Sequence, residues 1–123
     1  MSGVRKILFV SMLGALVVVG ACSSDSSPAP TPTGQVTTVT IPQGASTLTT
    51  TAFSPNPVNV AVGTTVHWAN SDSTIHNATA DNGAFNSGTL NAGGSFDFKF
   101  NSAGTFTYKC TIHPNMVGSV VVQ

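Results

Sequence analysis

The stretch SFDFKFNSAGTFTYKC, Ser95 to Cys110, decides the fold class of this chain. In its first half three phenylalanines alternate with aspartate and lysine, and in its second half Phe106 and Tyr108 alternate with threonine and lysine. Residues two apart point to the same side of an extended strand, whereas a helix repeats every 3.6 residues. Each half therefore predicts a short β-strand with one buried aromatic face.

Other β-rich runs cover the chain from Val36 onward, with turn residues between them. The sequence shows no helical period in this part and no internal repeat. Seven to eight short strands at this spacing predict an all-β sandwich. So small a sandwich buries only about 60 to 65% of its unfolded surface, and a bound metal would add stability. The other runs are VTTVTI from Val36, TLTTTAF from Thr47, VNVAV from Val58, GTTVHWAN from Gly63 and GSVVVQ from Gly118.

The N-terminal residues form a separate segment with the features of an export signal. Arg5 and Lys6 precede the apolar run ILFVSMLGALVVV, which is short for a transmembrane helix. The run ends in VGAC, small residues before a cysteine, and this resembles the bacterial lipobox. We therefore predict a lipoprotein signal peptide over residues 1–21 and a lipid anchor on Cys22. An ordinary cleavage site with an incidental cysteine is the alternative.

Residues 22–35, CSSDSSPAPTPTGQ, are rich in serine, proline and threonine and cannot form a core. They predict a tether between the lipid anchor and a single folded domain over residues 36–123. A disordered N-terminus without a spacer role would have the same composition, so this alternative stays open.

The low charge of the chain excludes one class of partner. Only 7% of the 123 residues are charged, so the chain has no basic surface for nucleic acid. Without residues 1–21, two lysines remain against four aspartates, a formal charge of −2.

The stretch CTIHPNM predicts a metal site. It places a thiol, an imidazole and a thioether three residues apart, at Cys110, His113 and Met116. With Cys22 lipidated, Cys110 is a lone thiol in an oxidising compartment, where an exposed free thiol is a liability. A buried structural thiol and a metal thiolate are the two ways to protect it. One more histidine would complete the trigonal His₂Cys site with a weak axial methionine that characterises blue copper.

Two histidines are candidates for the remaining ligand. His67 alternates with Val66 and Trp68, so it is predicted to face solvent when these two face the core. His76 follows a polar loop at the point where a strand restarts. We therefore predict His76 as the ligand.

From Val36 to the end, the chain resembles a plastocyanin-like cupredoxin. The similar segments are FSPNPVNVAVGTTVHWAN, IHNAT, AFNSGTLNAGGSFDFKFNSAGTFTYKC and CTIHPNMVGSVVV. The last of these has the short ligand loop of amicyanin rather than the longer loop of plastocyanin and pseudoazurin. The resemblance implies a cupredoxin-type Greek-key β-sandwich of seven to eight strands with one type 1 copper ion. It implies His76, Cys110 and His113 as strong ligands and Met116 as the weak axial ligand.

The resemblance also implies which residues support the ligands. Asn77 would hold the ligand loop through Thr111 and direct its backbone N–H at the Cys110 sulfur. Amicyanin has proline immediately before its second ligand histidine, where this chain has Ile112. Because Ile112 keeps the N–H that proline lacks, we expect a second hydrogen bond to the sulfur, from the Ile112 or His113 amide.

The expected function is a monomeric, lipid-anchored blue-copper protein that shuttles single electrons between redox partners. It would face the periplasm or the cell exterior. The sequence contains no recognisable nucleophile, base and oxyanion-stabilising set, so no enzymatic activity is expected. Copper storage or delivery, and an interaction module with a vestigial site, are the alternatives. Docking is expected around His113, within a frame formed by Gly83, Ala84, Phe85, Pro114 and Asn115.

Overall fold

The computed structural model describes residues 34–123, and in that range seven strands form two sheets. The predicted signal peptide, Cys22 and most of the predicted tether lie outside the described residues. In this range no helix is long and apolar enough to cross a membrane. The strands are β1 (Val36–Ile41), β2 (Val58–Val60), β3 (Thr65–Asn70), β4 (Thr79–Ala80), β5 (Ser95–Lys99), β6 (Gly104–Lys109) and β7 (Val117–Val122).

The two sheets confirm the predicted all-β sandwich. One sheet has the order β1-β3-β5, with β1 parallel and β5 antiparallel to β3. The other has the order β2-β7-β6-β4, in which β2 runs parallel to β7 and the remaining pairs are antiparallel. The two alternating runs of the stretch Ser95 to Cys110 become β5 and β6, which belong to different sheets. The chain therefore crosses between the sheets in the turn between Lys99 and Gly104, and β6 then leads to Cys110.

The run TLTTTAF was expected to be a strand, and this prediction is wrong. A short 3₁₀ turn at Ala45–Thr47 is followed by bends and turns up to β2. Ala52 and Phe53 are both fully buried, which an alternating strand does not allow for consecutive residues. The packing of this pair against the core overrides the β propensity of the threonines.

The core lies between the two sheets, around Trp68. The Trp68 ring is fully buried, and its centroid lies 5.5 Å from that of Tyr108 on β6 and 5.0 Å from that of Phe85. Val66 is also fully buried, as the alternation along β3 predicts. Trp68 and Phe100 are buried as the alternation predicts, and Phe53 is buried as well, whereas Phe96, Phe98 and Phe106 are only partly buried.

Candidate metal centre

The ligand loop, residues 110–116, connects β6 to β7 and is closed by its own backbone. The Cys110 N–H donates to the Met116 carbonyl at 3.0 Å, and the Met116 N–H donates to the His113 carbonyl at 2.9 Å. These two bonds hold both ends of the loop and its central histidine together. Cys110 and Met116 are fully buried, so the two sulfur-bearing side chains face the interior.

His76 reaches the same place from the segment between β3 and β4. Its N–H donates to the Leu90 carbonyl at 3.1 Å, and its carbonyl accepts the Leu90 N–H at 2.7 Å. This two-way bridge fixes the His76 backbone in a region that otherwise has little regular structure. The side chain is fully buried.

His76, Cys110 and His113 meet at distances that suit one metal ion. The two Nδ1 atoms lie 3.2 Å apart, and each is 3.9 Å from the Cys110 Sγ. A first-row metal ion lies about 2.0 Å from an imidazole nitrogen and about 2.3 Å from a thiolate sulfur. All three separations are shorter than the sum of the two bond lengths involved, so a single ion can contact all three atoms.

The ligands differ in their access to solvent. His76 and Cys110 have no exposed surface, whereas His113 is partly exposed. An ion bound here would be shielded from bulk water, and the His113 ring would be its route to the surface.

Asn77 joins the two segments that supply the ligands. Its backbone N–H points at the Cys110 Sγ, 3.4 Å away. Its side-chain amide donates to the Thr111 hydroxyl at 2.6 Å and accepts the Thr111 N–H at 2.8 Å. Asn77 therefore fixes the position of the sulfur relative to His76 and also supplies the sulfur with a hydrogen-bond donor.

The second backbone donor expected at the sulfur is not present. Within residues 34–123, the Asn77 amide is the only backbone N–H that hydrogen-bonds the Cys110 sulfur. The Ile112 and His113 amides make no hydrogen bond to it, and the loop closes through the Cys110 and Met116 amides. The Ile112 side chain is 39% exposed next to His113, so it forms part of the apolar surface around that histidine.

Asp72 is a residue of the site that the sequence reasoning missed. Its carboxylate is 3% exposed and accepts a hydrogen bond from the His76 Nε2 at 2.8 Å. The same carboxylate accepts the Gly44 and Ser73 amides at 3.2 and 2.8 Å. The hydrogen bond from His76, helped by these two amides, lowers the Asp72 pKa from its ordinary value of 3.8 to about 2. The signal available in the sequence was an acidic residue four positions before the loop histidine, in a chain with only four acids.

The Asp72 bond determines which nitrogen of His76 faces the metal. A carboxylate accepts only from a protonated nitrogen, so the proton is on Nε2 and the lone pair is on Nδ1. Nδ1 is the atom that lies near Cys110 and His113. Pairing of a ligand histidine with a carboxylate in this way is the usual means of orienting the ring in metal sites.

Asn70, the last residue of β3, holds the loop that carries Asp72 and His76 through side-chain hydrogen bonds. It is 2% exposed, and its amide nitrogen donates to the carbonyls of Thr74 and Leu90 at 2.9 and 3.0 Å. Its side-chain oxygen accepts the Asp72 N–H at 3.0 Å. The loop that carries Asp72 and His76 is therefore attached to the end of β3.

His67 lies outside the cluster, on the outer face of β3. Its ring is partly exposed and pairs with Asp97, its cross-strand neighbour on β5. This position agrees with the outward orientation that alternation predicts.

The frame expected around His113 needs correction. Phe85 is 4% exposed and belongs to the aromatic core, and Ala84 lines a surface cavity with Phe98 and Lys99, near the turn between β5 and β6. That turn is at the end of the strands opposite the ligand loop. Gly83 lies in the same turn as Ala84, because its N–H donates to Ala80. The error arose because the sequence gives no direction for the segment after β4. Pro114 and Asn115 are exposed next to His113, as expected. The other exposed apolar residues beside the ligands include Ile75 and Ile112, at 44% and 39% exposure.

Comparison with known proteins gives the family of the chain. Residues 37–123 match the family described as copper binding proteins of the plastocyanin/azurin family. This chain belongs to that family. The donor set of two imidazoles, a thiolate and a thioether fits one type 1 copper ion. The triad of His76, Cys110 and His113, with Met116 in the same loop, therefore forms a copper site.

Individual relatives agree with this assignment. Amicyanin-alpha of Methylorubrum extorquens is 33% identical over 76 residues, which cover 58% of this chain and 64% of that protein. A plastocyanin of Scenedesmus fuscus is 36% identical over 84 residues, which cover 58% of this chain and 86% of that protein. The chain spans less than two thirds of the amicyanins, and only 54% of the amicyanin of Paracoccus versutus.

Among solved structures, a purple cupredoxin from Nitrosopumilus maritimus is similar over its whole length. It is 39% identical, with a TM-score of 0.65, and the match covers 70% of this chain and 98% of that one. A copper(I) amicyanin variant is 27% identical, with a TM-score of 0.60, and the match covers 72% of this chain and 82% of that one. The sandwich described above is therefore the cupredoxin fold.

Proposed function

We propose that this protein carries single electrons between redox partners through a copper ion held by His76, Cys110, His113 and Met116. The supporting observation is the division of exposure within the site, where one ligand is partly exposed and the others are buried. Copper bound there supplies the one-electron change between Cu(I) and Cu(II). The protein holds the ligands in place, excludes water, and leaves the His113 ring accessible.

The hydrogen bonds around the ligands support a carrier function. His76 is held at its backbone by Leu90 and at its ring by Asp72, and Cys110 is held by Asn77. Ligands fixed by bonds that do not involve the metal change position little between the two oxidation states. A small change in geometry favours fast electron transfer.

The number of ligands supports a carrier rather than an enzyme. A catalytic metal site keeps an open position for water or substrate. Here the chain supplies four donors, and two of the three clustered ligands are fully buried. We therefore assign no enzymatic activity.

The surface beside His113 favours docking through apolar contacts. Ile75 and Ile112 directly precede the two histidine ligands and are both exposed. Asp72, the acid nearest in sequence to Ile75, is buried. Lys109, which lies shortly before Ile112, is paired with Asp81 at 3.6 Å. Among residues 34–123, therefore, no cluster of charges supplies a field that would steer a charged partner toward this surface.

Electron self-exchange between the oxidised and reduced protein tests this function without a known partner. We expect reversible one-electron reduction, and a self-exchange rate that changes much less than tenfold between low and high salt. Electrostatic steering raises association rates by roughly 10- to 1,000-fold and is lost in salt. NMR line broadening in mixtures of the two forms measures the rate. A steep salt dependence would rule out the apolar docking surface, and loss of copper to a chelator upon reduction would favour copper delivery over electron transfer.

We further propose that the protein is exported and anchored by lipid on Cys22, facing the periplasm or the cell exterior. The support is the lipobox-like sequence and the Ser/Pro/Thr-rich residues between Cys22 and the folded domain. Stable anchoring requires more than one acyl chain, as in bacterial lipoproteins.

Replacement of Cys22 by alanine tests the anchor. The wild-type protein is expected in the membrane fraction and Cys22→Ala in the soluble fraction, as measured by fractionation and immunoblotting. The visible spectrum should be the same for both, because all four copper ligands lie far along the chain. An equal distribution of the two proteins would refute the anchor.

A further inference from the structure

The two ends of the sandwich differ in what they carry. We call the end with the ligand loop the ligand end. There β3 finishes at Asn70 and β6 finishes at Lys109, directly before Cys110. At the opposite end Val36 of β1 pairs with Thr65 of β3, which pairs with Lys99 of β5. We call this the tether end.

The chain enters the folded domain at the tether end. Because β1 is parallel to β3, it starts where β3 starts, away from the copper ligands. The entry point is fixed by a hydrogen bond, since the Thr65 N–H donates to the Gln35 carbonyl at 2.9 Å. Residues 1–33, including Cys22, are therefore joined to the domain at the end opposite the ligand loop.

The reach of the tether makes this placement significant. Six residues of β1 at about 3.3 Å each span about 20 Å, and the ligands lie beyond the last of them. Thirteen residue steps separate Cys22 from Gln35, a length that corresponds to about 20 Å for a flexible linker and about 40 Å for an extended proline-rich one. To turn the ligand end toward the lipid, the tether would have to run back along the whole sandwich. That path would use half or more of the tether's length, whereas the opposite orientation uses none of it.

The surface at the tether end is compatible with a nearby lipid surface. Val36 is 61% exposed, and a cavity of about 230 Å³ there is lined by Phe98, Phe106 and Lys99. Apolar groups with a single lysine suit the headgroup region of a membrane.

We propose that the anchored protein stands with its tether end toward the membrane and its ligand end toward the aqueous compartment. This inference rests on the lipid anchor in the proposed function. Its consequence concerns the partner: His113, with Ile75 and Ile112, is presented to a water-soluble redox protein that arrives from the aqueous side. A redox centre embedded in the same membrane would face the wrong end.

Two labels at opposite ends of β5 test the orientation. Ala92→Cys lies in the turn before β5, at the ligand end, and Ser102→Cys lies in the turn after β5, at the tether end; both positions are exposed. Cys110 is fully buried and does not compete for the dye. Each copper-loaded, full-length variant is labelled with a fluorophore and placed in vesicles with and without a quencher on the lipid headgroup. The same labels on Cys22→Ala proteins are the controls.

We expect severalfold stronger quenching at Ser102→Cys than at Ala92→Cys. Equal quenching at both positions, or stronger quenching at Ala92→Cys, would overturn the orientation while leaving the anchor intact. If neither label is quenched above its Cys22→Ala control, the anchor itself is wrong, and the orientation fails with it.

Discussion

Replacing Cys110 with serine is expected to abolish the intense visible absorption of the copper-loaded protein. That absorption requires charge transfer between a thiolate and copper, and a serine hydroxyl is a hard, protonated donor that cannot supply it. The loss should be essentially complete at equal copper occupancy, as measured by absorption spectroscopy on metal-analysed samples.

The Cys110→Ser protein should still fold, so the loss of colour can be interpreted. Cys110 is fully buried, but the serine oxygen can accept the hydrogen bond that the Asn77 N–H now directs at the sulfur. The Asn77 N–H therefore keeps its partner, and an unpartnered buried donor is the usual cause of large destabilisation at such sites. Circular dichroism and urea unfolding of the metal-free variant check this.

Two further substitutions serve as controls for the ligand set. Met116→Leu keeps a similar volume in a buried position, at a cost of less than about 1.5 kcal/mol, and removes only a weak donor. It should keep the colour and raise the reduction potential. His67→Ala should change neither the colour nor the reduction potential, because His67 pairs with Asp97 on the outer face of the sheet. A coloured Cys110→Ser protein, or bleaching by His67→Ala, would show that the ligands are assigned incorrectly.

Periodic patterns explain what the sequence predicted about the fold. The alternation in SFDFKF and TFTYKC predicts β5 and β6, because burial on one face of a strand repeats every two residues. Residues 47–53 are rich in β-branched threonine but lack that pattern, and their structure depends on where Ala52 and Phe53 pack. The position of Phe85 in the core was also not predictable, because its segment has no period and its direction depends on the pairing of β4 with β6.

Short spacing explains what the sequence predicted about the site. Three candidate ligands lie within seven residues, so one turn can gather them, and only two other histidines were available for the remaining position. The contacts of Asp72 with Gly44 come from a loop 28 residues earlier in the chain. The orientation of the Ile112 amide depends on how the ligand loop closes. Neither the Asp72–Gly44 contact nor the orientation of the Ile112 amide can be predicted from residue spacing or composition.

Replacing Asp72 with asparagine is expected to lower the copper affinity of the protein by about 10- to 100-fold, the usual effect of removing the partner of a ligand histidine. The Asp72 carboxylate accepts hydrogen bonds on both oxygens, from His76 on one side and from Gly44 and Ser73 on the other. Asparagine has the same shape but only one oxygen. On one side, therefore, a donor must face a donor.

Either orientation of the new amide disturbs the site. If the NH₂ group faces His76, it donates to Nε2 and favours the tautomer with its proton on Nδ1, the nitrogen that has to bind the metal. If it faces Gly44 and Ser73, those two amides lose the oxygen that accepts their part-buried hydrogen bonds. Competition with a chromophoric chelator measures the affinity. Asp81→Asn is the matched control, since Asp81 pairs with Lys109 on the surface and should change the affinity little.

The pH dependence of unfolding should separate Asp72 from the other acids. Its pKa is about 2 in the folded protein and near its ordinary value of 3.8 in the unfolded chain, so the carboxylate stabilises the fold fully above about pH 4. This stabilisation is lost as the pH falls from about 4 through about 2. The metal-free wild-type protein should therefore be more stable than Asp72→Asn at pH 6, and the difference should shrink toward pH 2, as measured by urea unfolding at each pH. If the difference stays constant over this range, or if Asp72→Asn binds copper as tightly as Asp81→Asn does, then the Asp72 carboxylate does not hold the His76 ring.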